Sequence, residues 1–345
     1  MKTEFCKIGS DREENARIFS RGGEILRNGG LVAFPTETVY GLGGNALDAG
    51  AAKKIYAAKG RPSDNPLIIH IAKVEDAEKY CFTNEMFYRL AEKFLPGPLT
   101  IILPKRDCIP LTVTGGLGTV AVRLPSDENA RALIEAAGVP VAAPSANRSG
   151  KPSPTTAAHV RDDMDGRIDM IIDGGPCDIG VESTIVQLGE DHLTVLRPGG
   201  VTVEMLSEVC EVRLDKAVQE KLAEGERPLA PGMKYRHYAP DTKVVLVDSD
   251  REKFIAFVRE KARGEHIGAL VSDSDAALLR DSGAELLTLG EGSKTEAHEL
   301  FAKLREVDGK GCGIFYARLP ERGGIGLAVY NRFIKAAGYD IIKLN

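Results

Sequence analysis

Short apolar runs, each closed by a proline- or glycine-bearing polar turn, recur along this chain and alternate with helix-like stretches. Runs this short, bounded by turn residues, read as strands of a buried sheet. They fall at 31–34, 67–72, 99–103, 119–124, 139–143, 170–173, 184–188 and 193–196. Between them, 48–59 predicts a helix with Asp48 as N-cap and Gly60 just past its end. Residues 85–94 predict a helix before Pro96, and 127–137 a helix capped by Ser126 and stopped by Gly138. The alternation predicts an α/β sheet, partly parallel with antiparallel additions.

The texture changes after Gly200. Residues 201–224 are polar and predict helix. Residues 227–240 then hold three prolines and one glycine, the composition of a linker. From 243 a second module follows: strand 243–248, helix 250–263, strands 267–271 and 285–288, helix 294–307, strand 312–316 and helix 326–337. That order fits a small doubly wound α/β domain. The expected division is a domain over 1–205, a linker over 206–241 and a domain over 242–345. The length of 345 residues is enough for two such cores without disulfides or metal clips.

Charge narrows the function. Against 50 acidic residues stand 45 Lys plus Arg, a formal net charge of −5, and residues 1–200 alone hold 23 basic and 26 acidic residues. An extended basic surface for nucleic acid is excluded, whereas a local cationic pocket is not. The six cysteines form no CxxC pair, so reduced thiols are expected rather than a zinc site or a disulfide framework. The N-terminus is charged where a signal peptide needs an apolar core, and no apolar run is long enough to span a membrane. The expected compartment is the cytoplasm.

No P-loop, complete GxGxxG, HExxH or GxSxG is present. Five polar loops at strand ends carry the chemistry instead. In Pro35-Thr-Glu-Thr-Val-Tyr-Gly-Leu-Gly43, the hydroxyls of Thr36 and Thr38 share one face if the segment is extended. A stiffened strand-to-helix turn explains that motif equally well. Lys59-Gly-Arg-Pro-Ser-Asp-Asn-Pro66 puts Lys59 and Arg61 at a helix C-terminus, where cations are favoured in any case. The two prolines make it a rigid loop suited to a polyphosphate. Arg123 ends an apolar strand and His70 sits inside another. Such a histidine is more often a core residue than a ligand contact. The turn from Pro144 to Ser153 is rich in small donors, among them Ser145 and Asn147, and carries two basic residues. Ser183 and Arg197 sit at further strand boundaries. Lys59, Arg61, Arg123, Arg148, Lys151 and Arg197 are thereby assigned to one crevice.

These motifs, in this order, resemble the threonylcarbamoyl-AMP synthase family in its two-domain form. Residues 35–43, the Lys59-Gly60-Arg61 and Ser145-Ala146-Asn147 elements, PGMKYRHYAP at 231–240 and Gly324–Arg332 carry the resemblance. It implies a YrdC-like open twisted mixed sheet with helices, plus a smaller Rossmann-like doubly wound domain. It also implies a nucleotidyltransferase reaction: L-threonine, bicarbonate and ATP give threonylcarbamoyl-adenylate and pyrophosphate. The adenylate serves threonylcarbamoyladenosine formation beside the tRNA anticodon, through a downstream transfer enzyme. By the resemblance, Lys59 and Arg61 are the catalytic pair. Arg61, Asn65, Thr119, Ser145, Asn147, Ser153, Arg197 and Tyr235 face ATP. Thr36, Thr38, His70, Arg123, Ala143 and Ser183 face L-threonine, with Arg123 on its carboxylate. Mg²⁺ would be held mainly by the ATP phosphates, without a protein cage and without stable nucleic-acid or membrane binding. Two other readings stay open on the residues alone: an RNA-binding module in translation, and a carbamoyl-transfer enzyme.

Overall fold

The computed structural model describes residues 2–220, 228–231 and 237–344. It divides into two compact units: Met1–Ser149 with Ser153–Lys234, and Gly150–Pro152 with Tyr235–Asn345.

The first unit runs β1 (Glu4–Lys7), α1 (Arg12–Arg27), β2 (Val32–Phe34), β3 (Gly41–Asn45), α2 (Ala49–Lys59), β4 (Ile68–His70), α3 (Ala77–Tyr80), α4 (Glu85–Phe94) and β5 (Leu99–Pro104). It continues through β6 (Thr119–Arg123), α5 (Glu128–Ala137), β7 (Val141–Ala142), α6 (Ala157–Met164), β8 (Met170–Asp173), β9 (Thr184–Leu188), β10 (His192–Arg197), α7 (Val203–Ser207) and β11 (Glu211–Leu214). The strands form one sheet in the order β1-β8-β2-β3-β7-β4-β6-β5-β9-β10-β11. It is mixed: β4 pairs β6 in parallel, and β5 pairs β9 in parallel. β2–β3, β3–β7, β4–β7, β5–β6 and β9–β10 are antiparallel. Alternation along the central strands sorts their side chains. Ile69, Ile101 and Val122 join the main core on one face, while Ile68, Ile102 and Ala121 join a smaller apolar cluster with Ile185 and Leu196 on the other.

Several local expectations change. α2 begins and ends as expected: the Asp48 side chain accepts from Gly50 N, and Gly60 adopts φ +62°, the left-handed conformation that glycine permits. The cap of α5 is Asp127 and not Ser126, because the Asp127 carboxylate accepts the Ala130 N–H at 2.8 Å. The turn read over 35–43 ends in a strand: β3 covers Gly41–Asn45, and four of its five residues are buried between β2 and β7, which supply the ladder. The helix expected over 201–224 is the short α7, then β11, which extends the sheet by pairing β10, then a 3₁₀ turn at Lys216–Val218. Residues 221–224 lie outside the described residues.

The second unit runs β12 (Lys243–Asp248), α8 (Arg251–Ala262), β13 (Gly268–Val271), α9 (Asp273–Leu279), β14 (Glu285–Thr288), α10 (Gly292–Glu306), β15 (Ile314–Arg318), α11 (Gly326–Ala336) and β16 (Ile341–Lys343). Its five strands are all parallel, in the order β14-β13-β15-β12-β16. The α/β alternation read from the sequence is therefore present, with α9 and β16 added. The chain thus carries a large mixed sheet with helices and a smaller parallel α/β unit.

Candidate active site

A cross-strand row organises the site. His70 of β4 lies in register with Arg123 of β6, and Arg123 with Thr100 of β5. Thr100 is in register with Ile185 of β9, and Ile185 with Arg197 of β10. Directly opposed residues share a face of a sheet, so these five side chains line one face across five strands. Arg197 reaches the row through a bulge: the register slips between Val195 and Arg197, so that Arg197 rather than Leu196 opposes Ile185.

Ser183, one residue before β9, ties the row together. Its hydroxyl lies 2.8 Å from Thr100 Oγ1 and accepts from Arg197 Nη2 at 3.1 Å, while its carbonyl accepts from Arg197 Nε at 3.0 Å. The Pro198-Gly199 turn lies directly against it: a Cβ on Gly199 would sit 2.4 Å from both Glu182 O and Thr184 N. Only glycine allows that approach. Ser153 Oγ donates to buried Glu182 Oε1 at 2.6 Å.

The loop between β2 and β3 lies over the row. Thr36 Oγ1 donates to Val39 O at 2.7 Å and lies 2.9 Å from Thr38 Oγ1, so the two hydroxyls do meet. Thr36's one proton is committed to closing the loop, which leaves Thr38 as the donor between them. Two segments hold this loop. Ile179 N and Gly180 N donate to Glu37 O and Thr38 O, and Tyr40 N donates to Pro154 O. Glu37 Oε1 lies 2.7 Å from Arg123 Nη2, and both side chains are about 95% buried. This contact is an ion pair by distance without an aligned hydrogen bond. Both Glu37 oxygens, and Nε and Nη2 of Arg123, have no hydrogen-bond partner. His70 Nδ1 is equally unpartnered. Burial first, then the neighbouring Arg123 charge, push the His70 pKa down to about 3, so its imidazole is neutral at physiological pH.

The cationic loop is built otherwise than a pair of free cations. Lys59 Nζ donates to the carbonyls of Ser145 and Asn147, both at 2.5 Å, and to Asn147 Oδ1 at 3.3 Å. Its three protons thus hold the Ser145–Asn147 turn. Ser145 Oγ donates to Asn147 Oδ1, and Ala146 N donates to Tyr40 O, which joins this turn to the β2–β3 loop. Arg61 donates to the carbonyls of Asn65 and Pro66, at 3.3 Å and 3.1 Å from Nη2. Asn65 is buried and its Oδ1 has no partner. Thr119 opens β6 and Arg123 closes it, on the same face and about 13 Å apart at the usual strand rise. Ala143 is buried, with its N–H on Ile68 O.

The structure therefore brings His70, Arg123, Ser183 and Arg197 into one row, and Lys59, Ser145 and Asn147 into one turn. Lys151 groups with the second unit, its Nζ 2.6 Å from Asp241 and 3.7 Å from Asp308. Arg148 is exposed, with its backbone N–H on Asp163. Tyr235 lies outside the described residues. Sequence reasoning did not single out Thr100, Glu37 or Glu182 as site residues. Only Glu37 had a signal, its place between two threonines in a proline-led turn. Among the described residues, no group of three His, Cys, Asp or Glu side chains is placed to hold a metal ion, and no helix is long and apolar enough to cross a membrane.

Comparison with known proteins fits this geometry. Residues 24–199 match the family described as "Telomere recombination", and residues 201–338 match "Threonylcarbamoyl-AMP synthase, C-terminal domain". The chain is 49% identical to the threonylcarbamoyl-AMP synthase of Pyrococcus abyssi over 93% of its own length and 94% of that protein. It is 42% identical to that of Bacillus subtilis over 99% of its length and 100% of that protein. The crystal structure of P. abyssi Sua5 complexed with L-threonine superposes with a TM-score of 0.91 at 45% identity, over the whole of both chains. Escherichia coli YciO, at 24% identity and a TM-score of 0.53, shares the fold over 60% of this chain. The chain is an adenylate-forming enzyme that belongs to the threonylcarbamoyl-AMP synthase family, in its two-domain form.

Proposed function

We propose that this enzyme condenses L-threonine, bicarbonate and ATP into threonylcarbamoyl-adenylate, with release of pyrophosphate. The observation that carries the reading is Arg123: a guanidinium buried in the row, its Nη2 in an ion pair with Glu37 and its Nε without a hydrogen-bond partner. A buried donor left open beside that ion pair is costly to keep unless a further carboxylate arrives to use it. The threonine carboxylate supplies that partner. His70, Thr38, Ser183 and Ala143 surround the amino acid, and Thr36 shapes the loop above it.

The chemistry explains the remaining residue types. The threonine amine forms an N–C bond to the bicarbonate carbon as the C–OH bond breaks and water leaves, giving a carbamate. A carbamate oxygen then bonds to the α-phosphorus of ATP as the bond to pyrophosphate breaks. Both partners are anions, so cations must offset their repulsion. Arg61 and Arg197 serve that role. Asn65, Thr119, Ser145, Asn147 and Ser153 orient the nucleotide. Lys59 holds the Ser145–Asn147 turn in place, which makes its contribution one of positioning. Mg²⁺ arrives with the ATP phosphates as part of the substrate. The product is handed to a tRNA-modifying transfer enzyme in the cytoplasm for threonylcarbamoyladenosine formation.

The test is pyrophosphate release by the full chain with each component left out in turn. Release is expected to need threonine, bicarbonate and MgATP together. Release at an unchanged rate without threonine would reject the assignment, and salt-sensitive tRNA binding without any nucleotide turnover would favour an RNA-binding role.

A further inference from the structure

Glu37 has no place in the chemistry so far. It is a carboxylate buried to 94%, and neither oxygen accepts a hydrogen bond. Among the described residues, its side chain forms one ion pair, from Oε1 to Arg123 Nη2 at 2.7 Å. An ionised group that lacks its hydrogen bonds is a cost to the fold, so a buried acceptor of this kind calls for a ligand donor. The groups beside it say which one. Beyond their mutual ion pair, Arg123 Nε is a donor and Glu37 Oε2 an acceptor without hydrogen-bond partners. An α-amino acid carries the complement, a carboxylate and an ammonium on one carbon.

We propose that Glu37 receives the ammonium of L-threonine and takes its proton as the carbamate forms. This rests on the reaction proposed above. In the step, one N–H bond of the ammonium breaks and its proton passes to Glu37. The freed nitrogen lone pair forms the N–C bond to bicarbonate. The C–OH bond breaks, and the departing hydroxyl takes the proton from Glu37 and leaves as water. The second proton on nitrogen goes to solvent, so that threonine and bicarbonate yield carbamate, water and one proton. His70 is less suited to the task, because burial and the Arg123 charge depress its basicity. The other titratable groups coupled to Glu37 are Asp127 and Cys177, both pushed upward first by burial, and Asp178 acts on those two.

The test measures pyrophosphate release by Glu37→Gln between pH 6.5 and 9. Near pH 7 the rate is expected to fall by about 10²–10⁴-fold, the usual contribution of a positioned base. It should then climb about tenfold per pH unit, because only threonine already deprotonated in solution can react. The wild type should stay much flatter. A variant within about threefold of the wild type, with the same profile, would overturn the proposal. Glu37→Gln leaves Arg123 buried without its counter-charge and could fail to fold. A second measurement therefore uses the wild type alone: calorimetric binding of L-threonine against 3-hydroxybutanoate, which lacks the amine. At least about tenfold tighter binding of threonine is expected. Equal affinities would overturn the assignment. If the wild type bound threonine selectively but released no pyrophosphate, the reaction proposed above would fail and the ammonium contact would stand.

Discussion

Replacing Arg123 by methionine is expected to lower threonine-dependent pyrophosphate release by about 10²–10³-fold or more, the usual cost of deleting one preorganised charge-bearing donor. The same change should destabilise the fold by about 3–5 kcal/mol, because it strands Glu37 as an uncompensated buried charge. The two effects can be separated. Adding Glu37→Gln to Arg123→Met removes the stranded charge and should recover most of the stability, while activity stays lost. Urea unfolding gives the first quantity and pyrophosphate release the second. Arg123→Lys is not a mild control, since a lysine point charge cannot present the two-pronged face that a carboxylate uses. Full activity in Arg123→Met, or a double variant no more stable than the single one, would contradict the role given to this pair.

A second large effect lies in the pH dependence of stability. His70 titrates at about 3 in the folded chain, against an ordinary value of about 6.5 when unfolded. Between those values the unfolded state binds the extra proton, so acid favours unfolding. The contribution is fully present above about pH 6.5. It is lost at about 1.4 kcal/mol per pH unit as the pH falls toward 3, on the order of 5 kcal/mol in all. The buried row is the reason: neither the sheet nor the adjacent guanidinium can accommodate an imidazolium. Unfolding free energies of the wild type and of His70→Gln, measured between pH 7 and 4, should converge as the pH drops. Parallel curves would show that His70 is solvated and does not belong to the row.

Much of the fold was legible because it is local. α2 is written in its caps, Asp48 and Gly60, and the central strands in their apolar runs. What escaped depends on partners distant in the chain. β3, with three glycines in GLGGN, has no strand propensity of its own and is a strand because β2 and β7 flank it. β11 carries one half-buried and three exposed residues and is defined by its pairing to β10. The site divides in the same way. Lys59, Arg61, Ser145 and Asn147 sit in short turns whose composition announces them. The row does not: Thr100 meets Ser183 across 83 residues, and Arg197 joins only through a one-residue bulge. Lys59 shows the limit from the other side. Its residue type and place at a helix end suited a phosphate contact, and only the folded turn shows that its protons are engaged by Ser145 and Asn147.

The most direct measurement is a crystal structure of the full chain grown with L-threonine and a non-hydrolysable ATP analogue. Threonine is expected on the row, its carboxylate within hydrogen-bond distance of Arg123, its ammonium on Glu37 and its side chain beside His70 and Thr38. Threonine density elsewhere, with the Glu37–Arg123 contact unchanged and no ligand against it, would contradict the amino-acid site on which the proposed reaction depends.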